Sequence, residues 1–279
     1  MKLREIIKST RNSLLSGGIP DSNLEADLLV THILSIQRAE IYTKLDDDFP
    51  LDSQCLKEIV DRRLDKEPLF YILGNREFYG IPIQVNHKVL IPRQETELLV
   101  DRAIYIGSNS DRNISTIADI GTGSGAICIA IALNLPYATF LATDISTDAL
   151  TVAKNNISQY KLQDRISLLQ GDLLEPLNTK VDMIVCNLPY IPSKLLQTLQ
   201  PEVQKEPKIA LDGGPRGLTY INKLLKQARF HLNPGGVILI EIDPLQNKEL
   251  MTLSKEIYPN SNVWTEQDAL GLDRLIIIE

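Results

Sequence analysis

The chain has 279 residues, of which 43% are apolar and 23% charged, the balance of a folded globular protein with room for one large domain and a small one. A formal net charge of −7 and a pI near 5.2 argue against a protein that grips nucleic acid mainly through phosphates. The N-terminal stretch MKLREIIKSTRNSLL has no secretory pattern and no apolar run is long enough to span a bilayer, so a cytoplasmic protein is expected. Cys55, Cys128 and Cys186 lie far apart in apolar surroundings and read as buried thiols, not disulfides. His32, His87 and His231 are too dispersed for a ligand cluster, so no metal is expected.

The first seventy or so residues read as helices. LREIIKSTRNSLLSGG carries apolar positions at helical spacing and stops at a glycine pair. DSNLEADLLVTHILSI follows, with Asp21 and Ser22 as cap residues, and LDSQCLKEIVDRRLDKEP forms another helix closed by Pro68. The acidic run at 46–48 reads as a solvated turn. Between 74 and 92, GNREFYGIPIQVNHKVLIP alternates apolar residues with Gly and Pro, which predicts a hairpin or extended linker. QETELLVDRAIYIGS resumes as a helix and SNSDRN (108–113) as a loop.

From residue 114 strands and helices alternate: STIADI, GAICIAIALNL, TFLATDI, STDALTVAKNNISQY, RISLLQGD, VDMIVCN, GLTYINKLLKQARFHL, GGVILIEI and KELMTLSKEIY. The end, NVWTEQDALGLDRLIIIE, reads as two strands joined by a longer turn. Repeated β-α units require a mostly parallel sheet with helices on both faces, to which a final hairpin adds an antiparallel edge.

Within that alternation DIGTGSGA (119–126) joins a strand to a helix. Glycines there let the backbone turn sharply and approach a ligand closely. The stretch fits both the G-x-G-x-x-A fingerprint of nicotinamide dinucleotide sites and the G-x-G-x-G loop of S-adenosylmethionine-dependent methyltransferases, in which Gly121, Thr122, Gly123, Ser124 and Gly125 shape the methionine pocket. Asp144 ends the next strand, placed to accept both ribose hydroxyls of an adenosine, or else to cap the helix that follows; Ser146 or Thr147 can cap it instead. Asp172 ends the third strand, placed to accept from an adenine amino group with Leu173 against the ring, or simply to close a turn.

NLPY (187–190) follows the apolar run VDMIVC. Pro189 has no N–H and ends ladder pairing, leaving Asn187 and Tyr190 displayed at the sheet edge where ligands bind in open α/β folds. Methyl transfer to a planar nitrogen needs such a segment. Asn187 Oδ1 and the Leu188 carbonyl can each accept one N–H, turning the lone pair of a carboxamide or base amine toward the methyl group. Pro189 stiffens the turn and Tyr190 offers a flat face to the substrate.

Taken with these motifs, the chain resembles the bacterial release-factor glutamine methyltransferases. The resemblance runs through PLFYILGNREFYG (68–80), VLIPRQETELLV (89–100), ADIGTGSGAICIAIA (118–132), ATDIS (142–146), QGDLLEPL (170–177), NLPYIP (187–192), IALDGGPRGL (209–218), LNPGGVILIEI (232–242) and GLDRLIII (271–278). It departs where Leu188 replaces the proline of the usual NPPY, Gln94 the proline of IPRPET, and Leu173 a frequent tryptophan. The resemblance implies a Rossmann-like class I methyltransferase domain with a seven-stranded sheet and a C-terminal antiparallel hairpin. It also implies that residues 1–73 bind the release factor, 74–92 link as a hairpin and 93–279 catalyse. The cofactor is S-adenosylmethionine, leaving as S-adenosylhomocysteine, and the substrate is the glutamine of the GGQ motif in class 1 peptide-chain release factors. NLPY also occurs in enzymes that methylate adenine N6 in RNA or DNA. The helical N-terminal segment, IPRQETELLV and the acidic charge favour glutamine. Arg93, Glu95 and Glu97 sit where they can order the mouth of the site or cap a helix.

Overall fold

The computed structural model describes residues 1–49, 53–109 and 114–279, which divide into two compact units. One comprises Met1–Gly74 with Gln200–Lys205, the other Asn75–Leu199 with Glu206–Glu279.

The first unit is helical: α1 (Leu3–Ser16), α2 (Ser22–Leu34), the short α3 (Ile41–Lys44), α4 (Ser53–Leu64) and α5 (Leu69–Leu73). Leu3, Ile6 and Leu14 of α1 sit on one face and are buried; Leu14 packs with Leu29, Ile59 and Ile72, and Leu3 and Ile6 with Val30 and Ile41. Three local expectations are corrected. Asp21 occupies the N-cap of α2, but its side chain makes no capping hydrogen bond. Pro68 does not close α4, which stops at Leu64; it starts α5, whose end Gly74 turns in the left-handed region at φ 76°. Cys55 is exposed, against expectation, because α4 turns it outward, whereas Cys128 and Cys186 are buried. The 46–48 acids are exposed, as a solvated turn should be.

Arg63 is buried in this unit, donating Nε to Glu25 at 2.6 Å and Nη1 to Glu202 at 3.1 Å. Glu202 belongs to the Gln200–Lys205 segment, so one guanidinium ties α2 and α4 to a stretch of chain more than a hundred residues away.

The second unit opens with an antiparallel hairpin, β1 (Asn75–Phe78) and β2 (Ile81–Gln84). Its turn, Tyr79-Gly80, has both residues at positive φ, which matches the twist of the strands. Asn156 clasps the hairpin, accepting from Gln84 N at 2.8 Å and donating to its carbonyl at 3.0 Å. Then come α6 (Glu97–Asn109), β3 (Thr116–Ile120), α7 (Ala126–Asn134), β4 (Thr139–Asp144), α8 (Thr147–Gln159), β5 (Ile166–Gln170) and β6 (Val181–Cys186). A single turn α9 (Pro201–Gln204), part of the first unit, precedes α10 (Thr219–His231), β7 (Leu232–Glu241), α11 (Asn247–Ile257), β8 (Val263–Gln267) and β9 (Asp273–Ile278). Helix α6 extends through Asn109; residues 110–113 of the expected 108–113 loop lie outside the described residues.

Strand order is β5-β4-β3-β6-β7-β9-β8, parallel from β5 to β7, with β9 antiparallel to β7 and β8. This is the mostly parallel seven-stranded sheet with a C-terminal antiparallel hairpin expected from the sequence. After β3 the chain winds outward through β4 and β5, then crosses back to lay β6 on the other side of β3. Register aligns Ile120 with Thr143 and Cys186, and Cys186 with Ile240, so four strands end level at that switch point.

Removing one partner of a buried ion pair leaves the other charge stranded. Arg63→Met should lower stability in urea unfolding by about 3–5 kcal/mol, whereas neutralising the exposed Arg216–Glu249 pair with Arg216→Gln should change it by about 1 kcal/mol or less.

Candidate active site

A pocket opens at the level strand ends, lined by residues of the second unit only. Gly121, Gly123, Asp144, Ile145, Leu173, Asn187, Leu188 and Pro189 line it, with Leu90 and Tyr220.

The loop after β3 turns at Gly121, Gly123 and Gly125, with φ of 72°, 56° and 81°. Its first two amides, of Gly121 and Thr122, both donate to Thr143 O at 2.9 Å, tying the loop to β4. A Cβ at Gly121 would lie 3.0 Å from Leu188 Cδ2. The glycine therefore lets the buried Leu188 close over the loop.

Asp144 accepts from Gly123 N through Oδ2 and from Ser146 N through Oδ1, each at 2.9 Å. Burial pushes its carboxyl up, while the amides of Ser146, Gly123 and Ile145 pull it down. Each oxygen keeps acceptor capacity toward the pocket. Ser146, not Asp144, caps α8, accepting from Ala149 N at 3.2 Å. Asp172 pairs with Lys223 Nζ at 2.5 Å through Oδ2. Leu173 is buried at φ 54° with its carbonyl taking the Thr143 hydroxyl at 2.9 Å.

Asn187 donates Nδ2 to Thr96 Oγ1 at 3.0 Å. The register that pairs Cys186 with Ile240 sets Asn187 beside Glu241 on the next strand. Glu241 is 2% exposed, within the apolar run VILIEI. Burial pushes its carboxyl up to about 7, opposed by hydrogen bonds from Thr96 and Asn187 and by the charge of Arg274. Asp119, fully buried at the end of β3, is pushed up to about 6 by burial, against bonds from the Thr122 hydroxyl at 2.6 Å and from Cys128.

The NLPY loop is cradled by IALDGGPRGL. Ile191 N donates to Leu211 O at 3.1 Å and Gly213 N to Ile191 O at 2.8 Å. Gln246 Nε2 donates to Tyr190 O at 2.8 Å. A Cβ on Gly217 would lie 2.0 Å from that same carbonyl, and φ there is +75°.

Residues 5–74 match the PrmC N-terminal domain family, and residues 103–213 match the ribosomal protein L11 methyltransferase (PrmA) family. The release factor glutamine methyltransferase of Moorella thermoacetica is 38% identical over 99% of this chain and 98% of its own. That of Rhodopirellula baltica is 39% identical over 98% and 95%. The chain belongs to the release factor glutamine methyltransferase family. Two solved structures share its fold. The hMettl16 catalytic domain in complex with MAT2A 3'UTR hairpin 1 aligns with TM-score 0.59 and 18% identity over 80% of each chain. A methyltransferase from Pyrococcus furiosus aligns with TM-score 0.52 and 19% identity over 82% of this chain and 98% of its own.

Of the residues singled out in the sequence, the structure brings Gly121, Gly123, Asp144, Asp172, Leu173, Asn187, Leu188 and Pro189 together around the pocket. Thr122, Ser124 and Gly125 turn inward behind it: the Thr122 hydroxyl serves Asp119, Ser124 O accepts from Asn156 at 2.8 Å, and Gly125 begins α7. Tyr190 also stands behind the lining, its ring against the sheet core and its hydroxyl held protonated by burial and the nearby Glu241 charge. Arg93 pairs with the buried Glu206, which also accepts from Ile91 N at 2.9 Å, and Glu97 accepts from Tyr79 N at 2.9 Å. Sequence reasoning passed over Thr96 and Glu241. The signal for Glu241 was a lone acid inside VILIEI. Thr96 gave none, because its role depends on a fold-back from a distant segment. Among the described residues no group of three His, Cys, Asp or Glu could hold a metal ion, and no helix is long and apolar enough to cross a membrane.

Gly217→Ala forces a side chain into the left-handed region and against the Tyr190 carbonyl, so it should cost roughly 2 kcal/mol or more in urea unfolding. A pH dependence follows from Asp119 and Glu241. Both have folded values above their ordinary ones, so the folded state holds protons that the unfolded chain releases. The stability this confers is complete below about pH 4. It is lost as pH rises through about 6 for Asp119 and about 7 for Glu241. Asp119→Asn should therefore narrow the stability difference between pH 5 and pH 8 by about 1–1.5 kcal/mol, read from urea midpoints.

Proposed function

We propose that this chain methylates the side-chain amide nitrogen (N5) of the glutamine in the GGQ motif of class 1 peptide-chain release factors, in the cytoplasm, with S-adenosylmethionine as donor. Full-length similarity to relatives of that name supports the substrate, and the placement of Asn187 at the pocket carries the chemistry.

The pocket's residues fit the donor. The glycine loop, left open by residues at positive φ, accommodates the methionine part at Gly121 and Gly123. Asp144 retains acceptor capacity for the ribose hydroxyls, and Asp172 with Leu173 flanks the adenine. When bound, S-adenosylmethionine supplies an electrophilic methyl group on its sulfonium. The carboxamide to be methylated is a poor nucleophile because its lone pair is delocalised into the carbonyl. Asn187 Oδ1 accepts one of its N–H groups and the Leu188 carbonyl the other, so the nitrogen is fixed with its lone pair toward the donor. Pro189 holds the two acceptors in place, and Tyr190 supports the loop from behind through its own backbone. Catalysis is by positioning and oriented acceptors, without a covalent intermediate. We assign residues 1–73 to recognition of the release factor, residues 74–92 to the link and residues 93–279 to catalysis.

The same acceptor pair suits an exocyclic adenine amine, and NLPY is the feature that favours that second reading. Tandem mass spectrometry on a class 1 release factor after reaction should place the methyl on the GGQ glutamine, and a GGQ→GGA substrate should remain unmodified. A methyl elsewhere on the protein, or none, overturns the assignment. Asn187→Ala should lower kcat by about 10²–10³-fold while leaving S-adenosylhomocysteine affinity, measured by calorimetry, within about threefold.

A further inference from the structure

An acceptor only helps if it faces the right way. A carboxamide has an oxygen and a nitrogen of nearly equal size on one planar group, and nothing in its shape prevents a half-turn that exchanges them. At Asn187 such a turn would offer N–H donors to a substrate amide that itself presents N–H donors. The reading above therefore needs something that fixes the amide, and it is found behind the residue.

Asn187 Nδ2 lies 3.0 Å from Thr96 Oγ1. Thr96 is 3% exposed, on the 3-10 turn Gln94–Thr96 that leads into α6. Thr96 and Asn187 both oppose the upward push of burial on the Glu241 carboxyl. Its register position next to Asn187 is set by the β6–β7 ladder, not by loop conformation. Once Glu241 is ionised, above about pH 7, its oxygens accept only, and a Thr96 hydroxyl that donates to it can then only accept from Asn187. In that ionised state both partners demand the nitrogen of Asn187, and neither tolerates its oxygen. Glu241 Oε2 is buried without a partner. A buried acid with an unsatisfied oxygen costs stability, which gives it the character of a residue retained for its effect on a neighbour.

We propose that Thr96 and Glu241 are positioning residues that hold the Asn187 carboxamide with its nitrogen turned into the protein and Oδ1 turned to the pocket, where the substrate amide must be accepted. This rests on the methyl-transfer reading above. The IPRQET stretch thereby contributes to the active site through its last residue: the backbone of Ile91 and the side chain of Arg93 are anchored on the buried Glu206, and that anchoring sets where Thr96 stands.

Thr96→Val keeps the shape and removes the acceptor; Thr96→Ser keeps the hydroxyl; Glu241→Gln introduces a donor that can bond Oδ1 and stabilise the turned amide. In the full-length enzyme with release factor as substrate, T96V and E241Q should each lower kcat by about 10–100-fold, with the KM for S-adenosylmethionine within about twofold of wild type. T96S should recover most of the lost turnover. Independently of any protein substrate, the side-chain NH2 protons of Asn187, followed by NMR in the complex with S-adenosylhomocysteine, should exchange slowly in wild type and fast in T96V. Wild-type turnover in T96V, a parallel loss of donor affinity, failure of T96S to recover, or fast exchange in wild type would each overturn the proposal. If wild type does not methylate a release factor, the reading of the substrate fails, while the exchange experiment still decides how Asn187 is held.

Discussion

Parallel register is the constraint on which the site depends. Ile120, Thr143, Cys186 and Ile240 stand abreast across four strands, so these strands end level. Gly121 and Asn187 leave the sheet there, beside Asp144 and Glu241, the last paired residues of β4 and β7. A slip of one position along β6 would carry Asn187 away from Glu241 and turn Met183 and Val185, both buried in the sheet, to the opposite face. The apolar sheet thus fixes a set of polar groups that local sequence preferences would never hold in place, and this links packing directly to chemistry.

The polar groups at the sheet end are expensive to keep. Asp119 and Glu241 are buried, each with one oxygen lacking a partner, and Leu173 and three glycines hold left-handed backbone. Each of these lowers stability, and all of them cluster within the strand ends that form the pocket. The compensation lies beneath, in continuous apolar stretches such as MIVC and VILI, whose side chains are almost wholly buried. The outer wall is built differently, from loop against loop. Gly213 and Gly217 let the IALDGGPRGL backbone lie against the NLPY carbonyls at distances no side chain would permit, and Gln246 secures the same turn. That close approach explains why this stretch is so rich in glycine and why Pro189 can end a strand without loosening the loop behind it.

Much of the architecture was legible in the chain. The alternation from residue 114 named the sheet, because apolar runs of strand length between helical periods admit few other arrangements. DIGTGSGA, Asp144 and Asn187 were found for the same reason: each stands where a strand ends, and strand ends in such sheets are where ligands sit. What escaped was set by packing across distance. Whether Tyr190 faces the pocket or the core depends on the cradle from 209–218, and the helix after Pro68 is a short turn whose sequence PLFYILG reads equally as a strand. Cys55 looked apolar in context yet points outward, since helical phase and not neighbourhood decides burial. Thr96 was invisible because its partner is ninety-one residues away.

The central claim is that the acceptor pair at the strand end acts on a glutamine amide. It is tested most directly by offering one enzyme two substrates at once: purified release factor and bulk ribosomal RNA, with methyl-labelled S-adenosylmethionine, following where the label goes. The account predicts label in the release factor and background levels in the RNA. Label in the RNA, with the protein unmodified, would contradict it and would move the same pocket to an adenine amine.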